Sequence, residues 1–190
     1  MELVSEAIIF AAKAHDGMRR KSSTSPYILH PMEAAVIVGT MSEDQNLIAA
    51  AALHDVVEDA GVAMEEIEEH FGARVRELVE SETEDKREHL PAAATWRIRK
   101  EESLRVLENT DDVAVMMVWL GDKLANMRAI YRDFKAEGVG MWQRFNEKDV
   151  AAQAWYYRSI AHLTERLSNT SAWLEYKTLT DLVFGKENEK

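Results

Sequence analysis

The stretch LIAAAALHDVVEDA, residues 47–60, is apolar almost without interruption until His54, Asp55, Glu58 and Asp59 arrive together. Four ionisable groups beside a core helix are unfavourable unless something compensates them. A neutral imidazole and a carboxylate are good ligands for a borderline or hard divalent cation. His54 and Asp55 are therefore candidate metal ligands. On a continuous helix, residues four apart share a face. That spacing stacks His54 above Glu58 and Asp55 above Asp59, with two further carboxylates one turn from the ligands. Carboxylates so placed can orient or deprotonate a water molecule. A single His–Asp pair also has an ordinary explanation, a hydrogen-bonded histidine of the core.

Two other places strengthen the metal reading. His30 lies in PYILHP, at the entry to a helix that Pro31 is suited to open. Asp122 lies in VWLGDKLANMRAI, inside an otherwise apolar helix, with Asn126 one turn further on the same face. Two readings fit Asp122: a metal ligand, or the partner of an Arg or Lys on a neighbouring helix. Taken together, His30, His54, Asp55 and Asp122 form a two-His, two-Asp set that leaves positions for water and substrate on a six-coordinate ion. The clusters Arg19-Arg20-Lys21 and Arg97-Arg99-Lys100 could hold phosphates, or could be solvated helix faces. Phosphoryl transfer asks mainly for positioning and charge stabilisation. That suits a chain with no cysteine and no convincing Ser-His-Asp set.

The elements that must position these groups have helical spacing throughout, which predicts an all-α fold. Val4, Ala7, Ile8, Ala11 and His15 recur on one face of a first helix. Ser42 followed by Gln45 suggests a capping box for the helix carrying the HD stretch, with Gly61 as its stop. Short helices are expected from Ile67 to Gly72 and from Ala73 to about Ser81, and another from Trp96 to Leu107. Asn109 and Thr110 can cap a long helix through Val113, Met117, Leu120, Leu124 and Met127. Two more are expected, roughly Glu147 to Leu167 and Ser171 to Phe184. No alternating β-branched run with hairpin chemistry occurs. The most irregular connections are Lys21 to Tyr27, Glu82 to Ala94 and Lys135 to Arg144, and such loops tend to carry ligand contacts.

Bulk properties bound the function. The 190 residues suit one domain, expected over 1–184 with a polar tail at 185–190. A net charge of −11 disfavours general nucleic-acid binding, which rests on Lys and Arg meeting phosphates. No apolar run approaches a membrane span, and MELVSEAIIF lacks the basic start of a signal peptide. Without cysteine there is no disulfide framework and no thiolate metal site. A cytoplasmic location is the expectation. A homo-oligomer is compatible with the sequence, which does not fix the assembly.

The order H…HD…D resembles the HD superfamily of metal-dependent phosphohydrolases, whose domain is a helical bundle. The stretches AHDGMRRKSSTSPYILHP, AAALHDVVEDA, FGARVRELVE and LGDKLANMRAI are similar, in that order, to the motifs of the hydrolase domain of RelA/SpoT proteins. The likeness runs from about residue 7 to residue 167. The chain leaves no room for a synthetase domain, and LPAAATWRIRKEES resembles the small single-domain alarmone hydrolases, including the metazoan SpoT-like group. The resemblance implies manganese-dependent removal of the 3′-pyrophosphate from guanosine tetra- or pentaphosphate. It implies His30, His54, Asp55 and Asp122 as metal ligands, and Glu58 and Asp59 as the pair that handles the attacking water. Arg20 and Lys21 match the basic pair near the nucleotide. Asn126 matches a contact on the ribose side, and Tyr156 an aromatic contact.

The chain also departs from that pattern. RKSSTSPYI replaces RKSG-E/D-PYI, SETEDK replaces GVTK, and Trp119 stands where a lysine is common three positions before the metal aspartate. Trp119 would remove one positive charge near the site. The altered loop motivates two alternatives to the leading reading: hydrolysis of another phosphorylated nucleotide, such as an adenosine alarmone or a nicotinamide dinucleotide phosphate, and a non-catalytic alarmone sensor. Intact Glu58 and Asp59 favour an enzyme. His15, His70, His89 and His162 have no metal-like partners in the sequence. Met116, Met117 and Trp119 suggest core packing, and Trp155, Tyr156 and Tyr157 suggest packing with at most one ring reaching a ligand.

Overall fold

A computed structural model of the chain describes residues 1–20, 24–87 and 89–186. Among these residues the regular structure is helical, apart from one isolated antiparallel bridge between Arg19 and Pro26. The α-helices are α1 (Leu3–Ala14), α2 (Leu29–Gly39), α3 (Gln45–Leu53), α4 (Val56–Ala60), α5 (Met64–Phe71), α6 (Ala73–Glu82), α7 (Ala92–Glu108), α8 (Val113–Glu137), α9 (Val150–Leu163) and α10 (Ser171–Phe184). Short 3-10 stretches follow α8 at Gly138–Arg144 and α9 at Glu165–Leu167. No helix among the described residues is long and apolar enough to cross a membrane.

The bundle is organised around α3 and α8. Ala49, Ala50, Ala51, Ala52 and Leu53 are fully buried, as expected for a helix that is apolar all round. Four successive alanines also let backbones come close, and α1, α2, α6 and α8 all pack against α3. Helix α8, 25 residues long, also packs against α2, α10 and α6. At Gly121 it meets α2 so closely that a Cβ would lie 2.6 Å from Val38 Cγ2 and 3.1 Å from the Ala34 carbonyl oxygen. That approach brings His30, in the first turn of α2, beside Asp122 of α8.

Several boundaries differ from those expected of the sequence. The cap of α3 is Asp44, whose carboxylate accepts from Asn46 N at 2.9 Å, while Ser42 only accepts from Asp44 N. Asp112 caps α8, and Thr110 supports it by accepting from Asp112 N at 3.1 Å; Asn109 instead ends α7. Both cases follow one rule: the acidic side chain immediately before the helix reaches its free N–H groups best. On α1, Ala7, Ala11 and His15 are buried but Ile8 stays exposed, so the buried stripe is narrower than the periodicity suggested. Helix α9 ends at Leu163, where Thr164 turns its hydroxyl back onto the Ile160 carbonyl. Gly61 ends α4 in the left-handed conformation, φ 70°, as its position suggested.

Candidate metal centre

The helix expected across residues 47–60 is broken. Helix α3 stops at Leu53, α4 starts at Val56, and His54 and Asp55 form the turn between them. Asp55 has φ −96° and ψ −4°, the sparsely populated region found at many functional residues. On a regular helix two adjacent side chains diverge by about 100°. At this turn both reach the same point. Asp59 N still bonds the Asp55 carbonyl at 2.8 Å, which keeps the α4 carboxylates beside the ligands.

Four donor atoms converge there. His30 Nε2 lies 2.9 Å from Asp122 Oδ1 and 3.4 Å from Asp55 Oδ2; His54 Nε2 lies 3.0 Å from Asp55 Oδ2 and 3.4 Å from Asp122 Oδ1. The two imidazole nitrogens are 3.3 Å apart. Donors about 2.1 Å from one centre are separated by about 3.0 Å at right angles and about 3.4 Å at the tetrahedral angle. His30, His54 and Asp122 keep their donor atoms within 4.8 Å of one another, as one cation needs, and Asp55 joins this group through the two histidines. The histidines and Asp122 are buried. His54 Nδ1 lies 2.8 Å from the Ala51 carbonyl oxygen. A carbonyl can only accept, so Nδ1 carries a proton and Nε2 faces the cluster, the orientation a metal ligand needs.

The field at this point also favours positive charge. Burial would lower the pKa of His54, but Asp55 and Asp122 carry it well above the ordinary histidine value. Burial would raise Asp55, yet His54 and His30 hold it below the usual carboxylate range. Asp122 is likewise pushed up by burial and pulled well below that range by Lys123 and His54. Two imidazoles and two carboxylates in such a field fit a divalent cation.

The carboxylates behind the cluster are held by groups the sequence did not single out. Tyr27 stretches its hydroxyl between Asp55 Oδ2, at 2.8 Å, and Asp59 Oδ2, at 2.5 Å. Its ring stands 5.0 Å from His15 and edge-on to His30 at 6.0 Å. Lys86 bonds Asp59 Oδ1 and donates to the Glu58 carbonyl at 2.7 Å. The Glu58 carboxyl is pushed up to about 7 by burial, then by Asp55 and Glu84, with Lys86 opposing. A carboxylate poised there is suited to proton transfer near neutral pH.

A cavity of about 390 Å³ opens from this cluster. His30, Asp55, Glu58, Asp59 and Asp122 line it, together with Trp96, Arg99, Lys100, Phe145, Gln153 and Tyr157. Arg20 lines it and donates to Asn126 Oδ1 at 2.9 Å, while Asn126 donates to Asp122 Oδ1 at 2.7 Å. Lys21 falls outside the described residues. Tyr156 is not on the main cavity wall: it lines a recess of about 170 Å³ beside it, and its neighbour Tyr157 faces both. The basic cluster on α7 splits. Arg97 turns outward onto Glu101 and the Trp155 ring, whereas Arg99 and Lys100 face the cavity.

Asp122 meets a cation, but not on a neighbouring helix as the sequence suggested: the partner is the adjacent residue of its own helix. Asp122 faces the two imidazoles through Oδ1 and pairs with Lys123, its neighbour on α8, through Oδ2. Lys123 also lies 3.3 Å from the buried Glu82 and 4.9 Å from the Trp119 ring centre. Trp119 is itself buried and donates to the Ser81 carbonyl at 3.2 Å. Trp119 thus packs in the core, and Lys123 brings a positive charge to the cavity wall. Lys123, Lys86 and Tyr27 could have been suspected from their nearness to the acidic motifs, but no spacing rule singles them out.

Comparison with known proteins gives the family. A guanosine-3′,5′-bis(diphosphate) 3′-pyrophosphohydrolase of Vibrio cholerae is 38% identical over 136 residues, covering 68% of this chain and 18% of that protein. A GTP pyrophosphokinase of Myxococcus xanthus is 33% identical over 132 residues, covering 68% of this chain and 17% of its own. The chain thus spans less than a fifth of the length of these relatives. The solved structure of a metazoan ortholog of SpoT, described as hydrolysing ppGpp, superposes with a TM-score of 0.73 at 24% identity, covering 98% of each chain. The family model for the HD domain matches residues 7–149. Most of the chain, including all four converging donors, lies within that match, and the chain belongs to the HD domain family.

Proposed function

We propose that this chain is a cytoplasmic alarmone hydrolase that removes the 3′-pyrophosphate of guanosine tetra- or pentaphosphate with a divalent metal, manganese foremost. Residues 1–184 act as one hydrolase domain in this reading, with a polar tail after it. The observation that carries the reading is the convergence of His30, His54, Asp55 and Asp122 next to Glu58 and Asp59, on the wall of a cavity that Arg20, Arg99, Lys100 and Lys123 also line. The Vibrio relative, named for this reaction, supports the substrate class.

His30, His54, Asp55 and Asp122 would hold the metal. When bound, the cation supplies charge neutralisation at the phosphoryl oxygens and a lowered pKa for water. The chain's own groups do the rest. Glu58, with its carboxyl raised to about 7, accepts a proton from the attacking water at a carboxylate oxygen. Asp59, pinned by Tyr27 and Lys86, orients that water. Arg20 and Asn126 fix the nucleotide near the metal. Lys123 offsets negative charge at the reacting end. Trp96, Phe145 and Tyr157 offer ring faces to the base or sugar at the other end.

The test is a nucleotide panel with manganese, read for released pyrophosphate and phosphate. Pyrophosphate from guanosine tetraphosphate, abolished by Asp55→Ala, is the expected outcome. Turnover unchanged by Asp55→Ala removes the basis of the mechanism. Phosphate release from another nucleotide, or binding without turnover, overturns the substrate assignment or the catalytic one respectively.

A further inference from the structure

Most cations on the cavity wall are already neutralised from within. Arg144 is tied to Asp133 and Glu137, at 2.9 and 2.7 Å, and Lys123 to Asp122 and Glu82. The fullest neutralisation is at Glu84. Its carboxylate accepts from Arg99 Nη1 at 2.8 Å, Lys100 Nζ at 2.6 Å and Ser103 Oγ at 2.8 Å. The three donors come from one stretch of α7, and Arg99 is braced by its Nε–H to Thr95 Oγ1 at 3.3 Å. A guanidinium, an ammonium and a hydroxyl directed onto one oxyanion make the donor set a phosphoryl group takes. Burial would raise the pKa of Glu84, but Lys100 and its other partners hold it below the ordinary value, so it stays an anion.

A plain structural strap explains part of this, because Glu84 does fasten the connection after α6 to α7. It does not explain the location. Glu84, Arg99 and Lys100 all line the same cavity as the metal cluster, and Lys100 sits 4.9 Å from the Tyr156 ring where the side recess opens. The outward-facing pair on α7, Arg97 with Glu101 at 2.7 Å, shows what an ordinary surface bridge of this helix looks like. The connection carrying Glu84 also reaches the acidic pair, through Glu84 N to Glu58 Oε2 at 3.3 Å and through Lys86. One short segment therefore touches both the water-handling end and the basic end of the cavity.

We propose that Arg99 and Lys100, backed by the buried Ser103, form a second oxyanion subsite in the cavity, occupied by Glu84 as an internal stand-in for a phosphoryl group. Glu84 thereby limits how much negative charge the distal end of a nucleotide may carry. A distal phosphate must compete with a tethered carboxylate for two cations, so each added phosphate gains little. This rests on the proposed function only in taking the same cavity as the nucleotide site.

The experiment is calorimetric titration of the manganese-loaded chain with guanosine 5′-mono-, di- and triphosphate and with inorganic pyrophosphate. None of these carries the 3′-group that would turn over in the proposed reaction. In the unaltered chain the step from monophosphate to triphosphate should strengthen binding less than about threefold. Glu84→Gln keeps an acceptor for the α7 donors but removes the charge, and should enlarge that step to tenfold or more and tighten pyrophosphate binding. Adding Lys100→Gln to Glu84→Gln should cancel the gain. Lys100→Gln alone leaves the Glu84 charge less compensated and should remove the small gain, so that triphosphate binds no more tightly than monophosphate, which keeps a readout if the Glu84 variant does not fold. Affinities within twofold of the unaltered chain in Glu84→Gln, or a gain that survives loss of Lys100, overturn the proposal. A chain that shows the Glu84→Gln gain yet leaves guanosine tetraphosphate intact keeps this subsite and loses the hydrolase assignment. The converse result separates them the other way.

Discussion

Gly121→Ala is the substitution in which packing and metal binding are most tightly joined. The added Cβ would stand 2.6 Å from Val38 Cγ2 and 3.1 Å from the Ala34 carbonyl, where carbon atoms normally rest about 3.5 to 4.0 Å apart. A valine on a helix has essentially one χ1 rotamer, and the carbonyl is backbone, so neither yields cheaply. Helices α2 and α8 must then separate by about 1 Å. His30 and Asp122 sit on those two helices, and their 2.9 Å edge would open to about 4 Å, past the roughly 3.0 to 3.4 Å that adjacent donors about 2.1 Å from one ion keep. Overpacking costs about 1 to 3 kcal/mol, offset by up to about 1 kcal/mol from the better helix propensity of alanine. A net loss of about 1 to 2 kcal/mol lowers Tm by roughly 2 to 8 °C for a chain of this size. Manganese affinity, measured by calorimetry, should fall at least tenfold, and Val38→Ala in the same chain should restore part of both losses. A Gly121→Ala protein with unchanged Tm and unchanged manganese affinity would refute the reasoning.

Glu58→Gln should abolish turnover and stabilise the metal-free chain. The folded pKa of about 7 lies above the ordinary 4.5, so the fold favours the protonated form. That contribution is fully present below about pH 4.5 and is lost as pH rises through about 7. At pH 8 the ionised carboxylate costs on the order of 3 kcal/mol at most; the Tm gain of Glu58→Gln in chelator should therefore be larger at pH 8 than at pH 5, and a gain independent of pH counts against it. Tyr27→Phe removes the hydroxyl shared by Asp55 and Asp59. It should lower kcat by about ten- to a hundredfold, the range of lost supporting contacts at metal sites, with KM within about threefold; an unchanged kcat would show that the carboxylates hold their positions unaided.

Much of this cluster was legible because its candidate ligands fall in short, distinctive stretches. His30 before a proline, the HD pair and an aspartate within an apolar helix each carry a physical oddity that marks them. What escaped was carried by contacts far apart in sequence. Tyr27 lies 32 residues from Asp59, and Lys86 lies 27 from it, and no periodicity encodes such meetings. The break at His54 and Asp55 escaped because nothing there is a glycine or proline, and His54 keeps ordinary helical dihedrals. Tyr156 and Tyr157 differ by one helical position, and only the packing of α9 decides which ring faces the main cavity. Helix existence was readable from spacing, whereas the caps at Asp44 and Asp112 were misplaced by two to three residues, because neighbouring Ser, Thr, Asn and Asp all compete for that role.

The central claim is that one cation is held by side chains from three separate parts of the chain. Anomalous diffraction from crystals grown with manganese tests it most directly. A single strong peak is expected within about 2.3 Å of His30 Nε2, His54 Nε2 and carboxylate oxygens of Asp55 and Asp122. A peak bound elsewhere, or one that leaves Asp122 outside its coordination sphere, would contradict it.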